Sequence, residues 1–322
     1  MRHWAVALIL ATGGTPMVRA AHSAGKPAYG VGPGNVPVYV DRTADLDRAA
    51  YHIVNSKAFD YSVICSTEQA VVADRPIADE LARRMEREGA VFVDAEQAAA
   101  LGRALFHPDG AINPRSVGKS PQALAELADI RVPAHARILV ARLSRVGPDE
   151  PLSREKLTTV LAFYESDGWE AGCDRSIELL KFGGDGHTLV IHCRDENVIV
   201  RFALEKPAFR IVVNQPGTLG AIGYTSGLDP AMTLATGGIG GGISSDNISV
   251  RHLLNVKRLA YPLIEWNWRS PAVSTALAAG LPAAVPAAGA GPATLAAALR
   301  AGPPSREEID ALVRRLLADD NR

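Results

Sequence analysis

The residues best placed to do chemistry lie in Ser56-Lys57-Ala58-Phe59-Asp60-Tyr61-Ser62-Val63-Ile64-Cys65-Ser66-Thr67-Glu68-Gln69, where an apolar and aromatic approach delivers a single thiol to the start of a polar segment. A thiol there is a nucleophile if its proton can be removed, and an inert core residue if it is only packed away; for a cysteine considered alone the inert role is the commoner one. Ahead of it runs Gly30-Val31-Gly32-Pro33-Gly34-Asn35-Val36-Pro37, a loop whose glycines let backbone pass close to a ligand. Its spacing is neither that of a dinucleotide fingerprint nor that of a phosphate-binding P-loop.

The elements that must hold these residues read as an α/β domain with a mainly parallel sheet. From Val36 to about Pro262, short apolar runs alternate with helical patterns. The predicted strands are Val36–Val40, Ala70–Val72, Ala90–Val93, Ile138–Ala141, Thr158–Tyr164, Thr188–His192 and Arg210–Val213. Helical spacing predicts helices over Asp45–Asn55, Ile77–Glu88 and Ser120–Ala128. At the N-terminus, Trp4–Leu10 reads as a buried strand entering the turn Thr12-Gly13-Gly14-Thr15-Pro16 and a helix from about Met17 to Ser23. The competing reading is an export signal, with Arg2 and His3 before an apolar stretch and small residues up to Ala20. A parallel strand that begins at residue 4 has nothing before it to pair with.

Composition narrows the functions. Among 322 residues, 34 Lys and Arg balance 35 Asp and Glu, with 47% apolar residues and a formal charge of −1. That balance gives no electrostatic grip on nucleic acid or an acidic membrane, so small molecules or proteins are the expected partners. The longest apolar run, Trp4–Ala11, is far short of the roughly 20 residues that span a bilayer. Three scattered cysteines, Cys65, Cys173 and Cys193, fit neither a disulfide framework nor a cysteine metal site, and point to a reducing cytoplasm. Residues 272–304 hold 14 Ala, 5 Pro and 4 Gly with Arg300 the one charge, and read as a flexible linker. Beyond it, Ser305 and Glu308 form a capping box for a C-terminal helix whose Ile309, Leu312, Val313, Leu316 and Leu317 make one apolar stripe. Such a helix either folds back on its own domain or docks on another protein.

Taken together, these motifs resemble the CoA-acylating branch of the aldehyde dehydrogenases, the acetaldehyde and sulfoacetaldehyde type. The resemblance is carried by ILATGG at 9–14, GKPAYGVGPGNVPVYVD at 25–41 and SKAFDYSVICSTEQ at 56–69. It continues through LSREKLTTVLA at 152–162, GGDGHT at 183–188 and GGGISSDNISVRHLLNVKR at 240–258, in register over about residues 5–262. It implies that Cys65 attacks an aldehyde, that a nicotinamide dinucleotide (NAD or NADP) takes the hydride, and that the resulting thioester is passed to coenzyme A. It matches Glu155 to a glutamate that binds the nicotinamide ribose, although by position it is also an ordinary helix-start charge. His187 matches a histidine that assists proton transfer or the CoA thiol, where a satisfied structural histidine is the alternative. Thr12, Gly13 and Gly14 match the turn beside the nicotinamide ring. Aligned on Gly34 and Pro37, the loop puts Val31 where hydrolytic members carry a water-activating glutamate, which favours CoA over water as acyl acceptor. No metal is implied.

The resemblance also implies an absence. Relatives carry somewhat under 200 residues ahead of ILATGG, holding the dinucleotide-binding strands and an asparagine that stabilises the oxyanion. The expectation is therefore an N-terminally truncated aldehyde dehydrogenase fold: 1–14 as a remnant of the dinucleotide domain, 15–215 as the thiol domain, 216–270 as a return segment, 271–304 as linker and 305–322 as helix. Homo-oligomer contacts are expected through strand-like segments near 205–225 and 250–262. A non-catalytic fragment that serves assembly, or that docks on bacterial microcompartment shell proteins through 305–322, is the second reading. A secreted cysteine hydrolase is the third, and needs both the export signal and a His–Asn/Asp pair for Cys65.

Overall fold

The computed structural model describes residues 1–263; the predicted linker and C-terminal helix lie outside the described residues. Chain contacts group residues 1–255 into one unit. That unit opens with a small parallel pair, β1 (Ile9–Thr12) and β2 (Ala28–Val31), joined by α1 (Thr15–His22), with Ile9 opposite Ala28 and Thr12 opposite Val31. The strand predicted over Trp4–Leu10 is thus displaced. Residues before Ile9 have no neighbouring strand and Trp4 is 85% exposed, whereas Ile9–Thr12 finds its partner downstream in β2.

The main sheet comprises β3 (Val36–Val40), β4 (Glu68–Asp74), β5 (Ala90–Val93), β6 (Ile138–Arg142), β7 (Val160–Ser166), β8 (Gly186–His192) and β9 (Ala208–Val213). All pair in parallel in the order β5-β6-β7-β4-β3-β8-β9. Strands covered on both faces need apolar residues at nearly every position, and β3 is buried throughout. On one face α2 (Leu46–Ala58) and α3 (Arg75–Arg87) pack through Ile53, Val54, Leu81 and Met85 on Val38, Val71, Val140 and Leu161. On the other, α4 (Ala95–Leu105) and α5 (Pro121–Ala128) cover the β5–β6 end through Leu101, Leu105 and Leu124. The rest of that face carries α6 (Gly168–Gly183) and α7 (Glu196–Glu205), whose Leu179, Leu180 and Phe202 meet Tyr39, Val72 and Ile191.

Helix starts are written locally. Asp45 accepts the Arg48 N–H, Ser120 accepts that of Ala123, and Asp94 with Gln97 completes a capping box. After β9 comes the short α8 (Gly217–Ala221). The strand-like pattern at 250–262 does not become a strand: Val250–Leu253 is a single 3-10 turn, and Leu254 to Leu263 have no ladder partner among the described residues. Val250, Leu254 and Leu259 are 62–81% exposed there, so their apolar character has no sheet edge to join. No helix among the described residues is long and apolar enough to cross a membrane.

Candidate active site

Cys65, Gly34, Glu155 and His187 all sit where chain enters the sheet, just before β4, β3 and β7 and at the second residue of β8. The site therefore forms at the amino ends of four central strands. The approach to Cys65 is strained: Asp60, Tyr61 and Ser62 hold φ of 47°, 47° and 65°, a region that residues bearing a Cβ seldom adopt. A turn with the Thr67 N–H donating to the Ile64 carbonyl at 2.9 Å then presents the thiol.

His187 Nε2 lies 3.2 Å from Cys65 Sγ, and its Nδ1 is 2.9 Å from Thr188 Oγ1. With the proton on Nδ1 donated to the threonine hydroxyl, Nε2 is left as an acceptor facing the S–H. Burial, then the Glu155 charge, push the Cys65 thiol up to about 12, with Arg210 opposing. Burial, then Arg210, bring His187 down to about 3. Burial thus favours the neutral form of each partner: a thiol held against a base, not a preformed ion pair. The cation behind both is Arg210, 3% exposed, whose Nη1 donates to the carbonyls of His187 at 3.2 Å and Ala235 at 2.9 Å.

A cavity of about 750 Å³ opens in front of the thiol. Cys65, Thr12, Gly13, Gly14, Gly32 and Glu155 all line it. A Cβ on Gly32 would meet nothing within 4 Å, and one on Gly14 only Pro16 at 3.7 Å, so these glycines leave open wall that a side chain would fill. That is the fit a flat ring requires. Glu155 Oε1 accepts the Gly34 N–H at 2.8 Å, and burial raises its carboxyl above the ordinary range. His187 is fully buried and reaches the sulfur from behind the cavity.

The structure thus brings five of the predicted residues to one cavity wall and places His187 at the thiol. Val31 is buried in β2 and offers no base. The cavity still holds carboxylates, because Glu155 and Asp60 line it. Three contributors escape a reading of motifs. Asn35, at φ 34°, holds Ser153 and Leu179 carbonyls through its amide, and its place after a Pro-Gly pair was the signal of a left-handed turn. Arg210 is a lone charge inside an apolar strand, a cue to a buried task. Thr188 carries no signal beyond adjacency to His187. No group of three or more His, Cys, Asp or Glu side chains among the described residues is arranged to hold a metal.

No family model matches the chain. It is 42% identical over 269 residues to aldehyde-alcohol dehydrogenase 2 of Entamoeba histolytica, which covers 81% of this chain and 31% of that protein. Its fold is similar to an acetylating aldehyde dehydrogenase from Geobacillus thermoglucosidasius, with TM-score 0.80, 44% identity, and coverage of 83% of this chain and 59% of that one. It is also similar to a propionaldehyde dehydrogenase of Rhodopseudomonas palustris with bound CoA and an acylated cysteine, at TM-score 0.68 and 28% identity, covering 76% and 54%. About four-fifths of the chain is thus homologous to acylating aldehyde dehydrogenases, and it spans from 31% to 59% of the length of these relatives.

Proposed function

We propose that this homologue of the CoA-acylating aldehyde dehydrogenases oxidises a short-chain aldehyde and transfers the acyl group to coenzyme A. The observation that carries the reading is the 3.2 Å contact of His187 Nε2 with Cys65 Sγ, on the wall of a cavity shared with Gly13, Gly14 and Glu155. As Sγ attacks the carbonyl carbon, His187 accepts the thiol proton, so no free thiolate has to exist beforehand. A bound NAD or NADP supplies the hydride acceptor. Thr12, Gly13, Gly14 and Gly32 would flank its ring, and Glu155 would hold its ribose through the carboxylate oxygen not taken by Gly34. The acyl group is left on Cys65 as a thioester. The CoA thiol then attacks that carbon, Cys65 leaves, and one proton is released overall.

The test is CoA-dependent NADH formation from acetaldehyde, with Cys65→Ala as control. Activity that needs both CoA and the thiol supports the reading; equal rates with the variant, or with CoA omitted, overturn it. We place the protein in the cytoplasm, in keeping with three free cysteines, and expect a homo-oligomer. A second reading, assembly on a microcompartment shell through 305–322, rests on the apolar stripe from Ile309 to Leu317. Loss of shell co-purification on deleting 303–322 would support it.

A further inference from the structure

Side chains alternate strictly along a strand, so Glu68 should share a face with Ala70 and Val72, which pack under α6. It does not. In the pairing of β3 with β4, Val36 lies opposite Glu68 and Pro37 opposite Ala70, so Gln69 is an extra residue in a bulge. The bulge turns Glu68 to the opposite face, where α2 and α8 pack beside Val71 and Ala73. There Glu68 Oε2 accepts the Ser56 hydroxyl at 2.5 Å from the last turn of α2, and Oε1 accepts the Gly217 N–H at 2.7 Å from the start of α8.

The contacts lead back to the thiol loop. The Thr218 N–H donates to Ser56 Oγ at 3.1 Å, the Thr218 hydroxyl donates to Thr67 Oγ1 at 2.9 Å, and the Ser66 hydroxyl donates to the Thr218 carbonyl at 3.5 Å. Ser56, Ser66, Thr67, Glu68 and Thr218 are all at most 2% exposed. Gln69 Oε1 meanwhile accepts the backbone N–H of Lys156, the neighbour of Glu155, at 3.1 Å, and also a hydrogen bond from Lys57 Nζ at 3.1 Å. The residues that follow Cys65 are therefore pinned on one side to two helices and on the other to the segment bearing Glu155.

We infer that Glu68, re-aimed by the bulge at Gln69, is a positioning residue that holds Cys65 against His187. Both groups that face its carboxylate donate to it; an amide of the same shape keeps one acceptor and turns an N–H toward the other position, so the Ser56 hydroxyl, if it faces that N–H, must send its proton to Thr218 Oγ1 at 2.8 Å and the charge-assisted bond is lost. Released from this clamp, the thiol loses its buried place near Glu155 and Arg210 and relaxes toward an ordinary cysteine.

The inference rests on Cys65 being the reactive thiol, but its test needs no aldehyde, nicotinamide or CoA. The rate of iodoacetamide labelling at Cys65 is followed by peptide mass spectrometry from pH 7 to 10, with Cys173 labelling as the monitor of unfolding. In the parent chain the Cys65 rate should climb without a plateau. Glu68→Gln should raise the rate at pH 8 by about a hundredfold and make it level off toward pH 10, with Cys173 unchanged. Glu68→Asp, which keeps the acceptor, should fall between the two. If Glu68→Gln does not fold, Ser56→Ala, which removes one donor, should move Cys65 in the same direction by a smaller factor. A lowered melting temperature with the Cys65 rate and pH dependence unchanged would overturn the inference and leave Glu68 merely structural. Because labelling is independent of turnover, the clamp can hold even if the acylating reading fails.

Discussion

A Cβ on Gly34 would stand 2.0 Å from the carbonyl oxygen of Cys65, and one on Gly184 would stand 2.0 Å from the carbonyl oxygen of Gly34. Three backbones are stacked with no room for a side chain, and this stack sets the depth of the thiol. Gly34→Ala must therefore push the Cys65 loop outward. The expected cost is about 1–3 kcal/mol of stability, read from urea unfolding, together with loss of aldehyde oxidation. An alanine variant with parental stability and rate would show that the stack has slack.

His187→Ala should slow acyl transfer by about 10²–10⁴-fold, the usual worth of a positioned base, with partial recovery on adding free imidazole. Because His187 is held down to about 3, no activity limb near pH 6.5 should belong to it. Kinetics of parent and variant across pH 5–8 check both points.

Glu155→Gln is expected to act twice. Loss of the charged acceptor should raise KM for the nicotinamide dinucleotide by about tenfold. Since the Glu155 charge helps to raise the Cys65 thiol, removing it should lower that value and speed alkylation of Cys65 at a fixed alkaline pH. A KM change without faster alkylation would separate the two roles.

Acid should reveal a second buried histidine. His192 is held down to about 3, first by burial and then by His52 and Arg48, whereas in the unfolded chain it titrates near 6.5. The unfolded state binds the extra proton, so the stability due to neutral burial of His192 is present above 6.5 and is lost as pH falls toward 3. Glu68 and Glu155, whose carboxyls are raised, act in the opposite sense, so the parent chain alone does not isolate the effect. A His192→Gln variant does: relative to the parent it should gain up to ~1.4 kcal/mol per pH unit from pH 6.5 to 4. Parallel stability curves would contradict this.

The sheet was legible because its inner strands are buried on both faces and its edge strand β5 is apolar throughout: short apolar runs marked Val36–Val40, across Pro37, and Ala90–Val93 to the residue. The helices α4, α6 and α7 were less so. Ala95–Leu105 has alanine at five of its eleven positions, which blurs its apolar stripe, and α6 carries glycines at 168, 172 and 183 that read as breaks. Gly172 is needed there, since its Cβ would meet Tyr39 at 2.4 Å. β1 was misplaced because Trp4 is as apolar as Ile9, and only the pairing with β2 tells them apart. At the site, Cys65 and the glycine turns announced themselves, and His187 came through family likeness. The bulge at Gln69 and the reach of Arg210 depend on register between distant strands, which a linear pattern does not encode.

The central claim is that Cys65 carries an acyl group exchangeable with CoA. It is tested most directly in reverse, without aldehyde or dinucleotide: the protein is incubated with acetyl-CoA, and the Cys65, Cys173 and Cys193 peptides are weighed while released CoA is titrated. The account predicts a mass gain of one acetyl group on Cys65 alone, an equal amount of free CoA, reversal on adding excess CoA, and no reaction in Cys65→Ala. An unmodified Cys65, or acetyl spread equally over the two other cysteines, would contradict it.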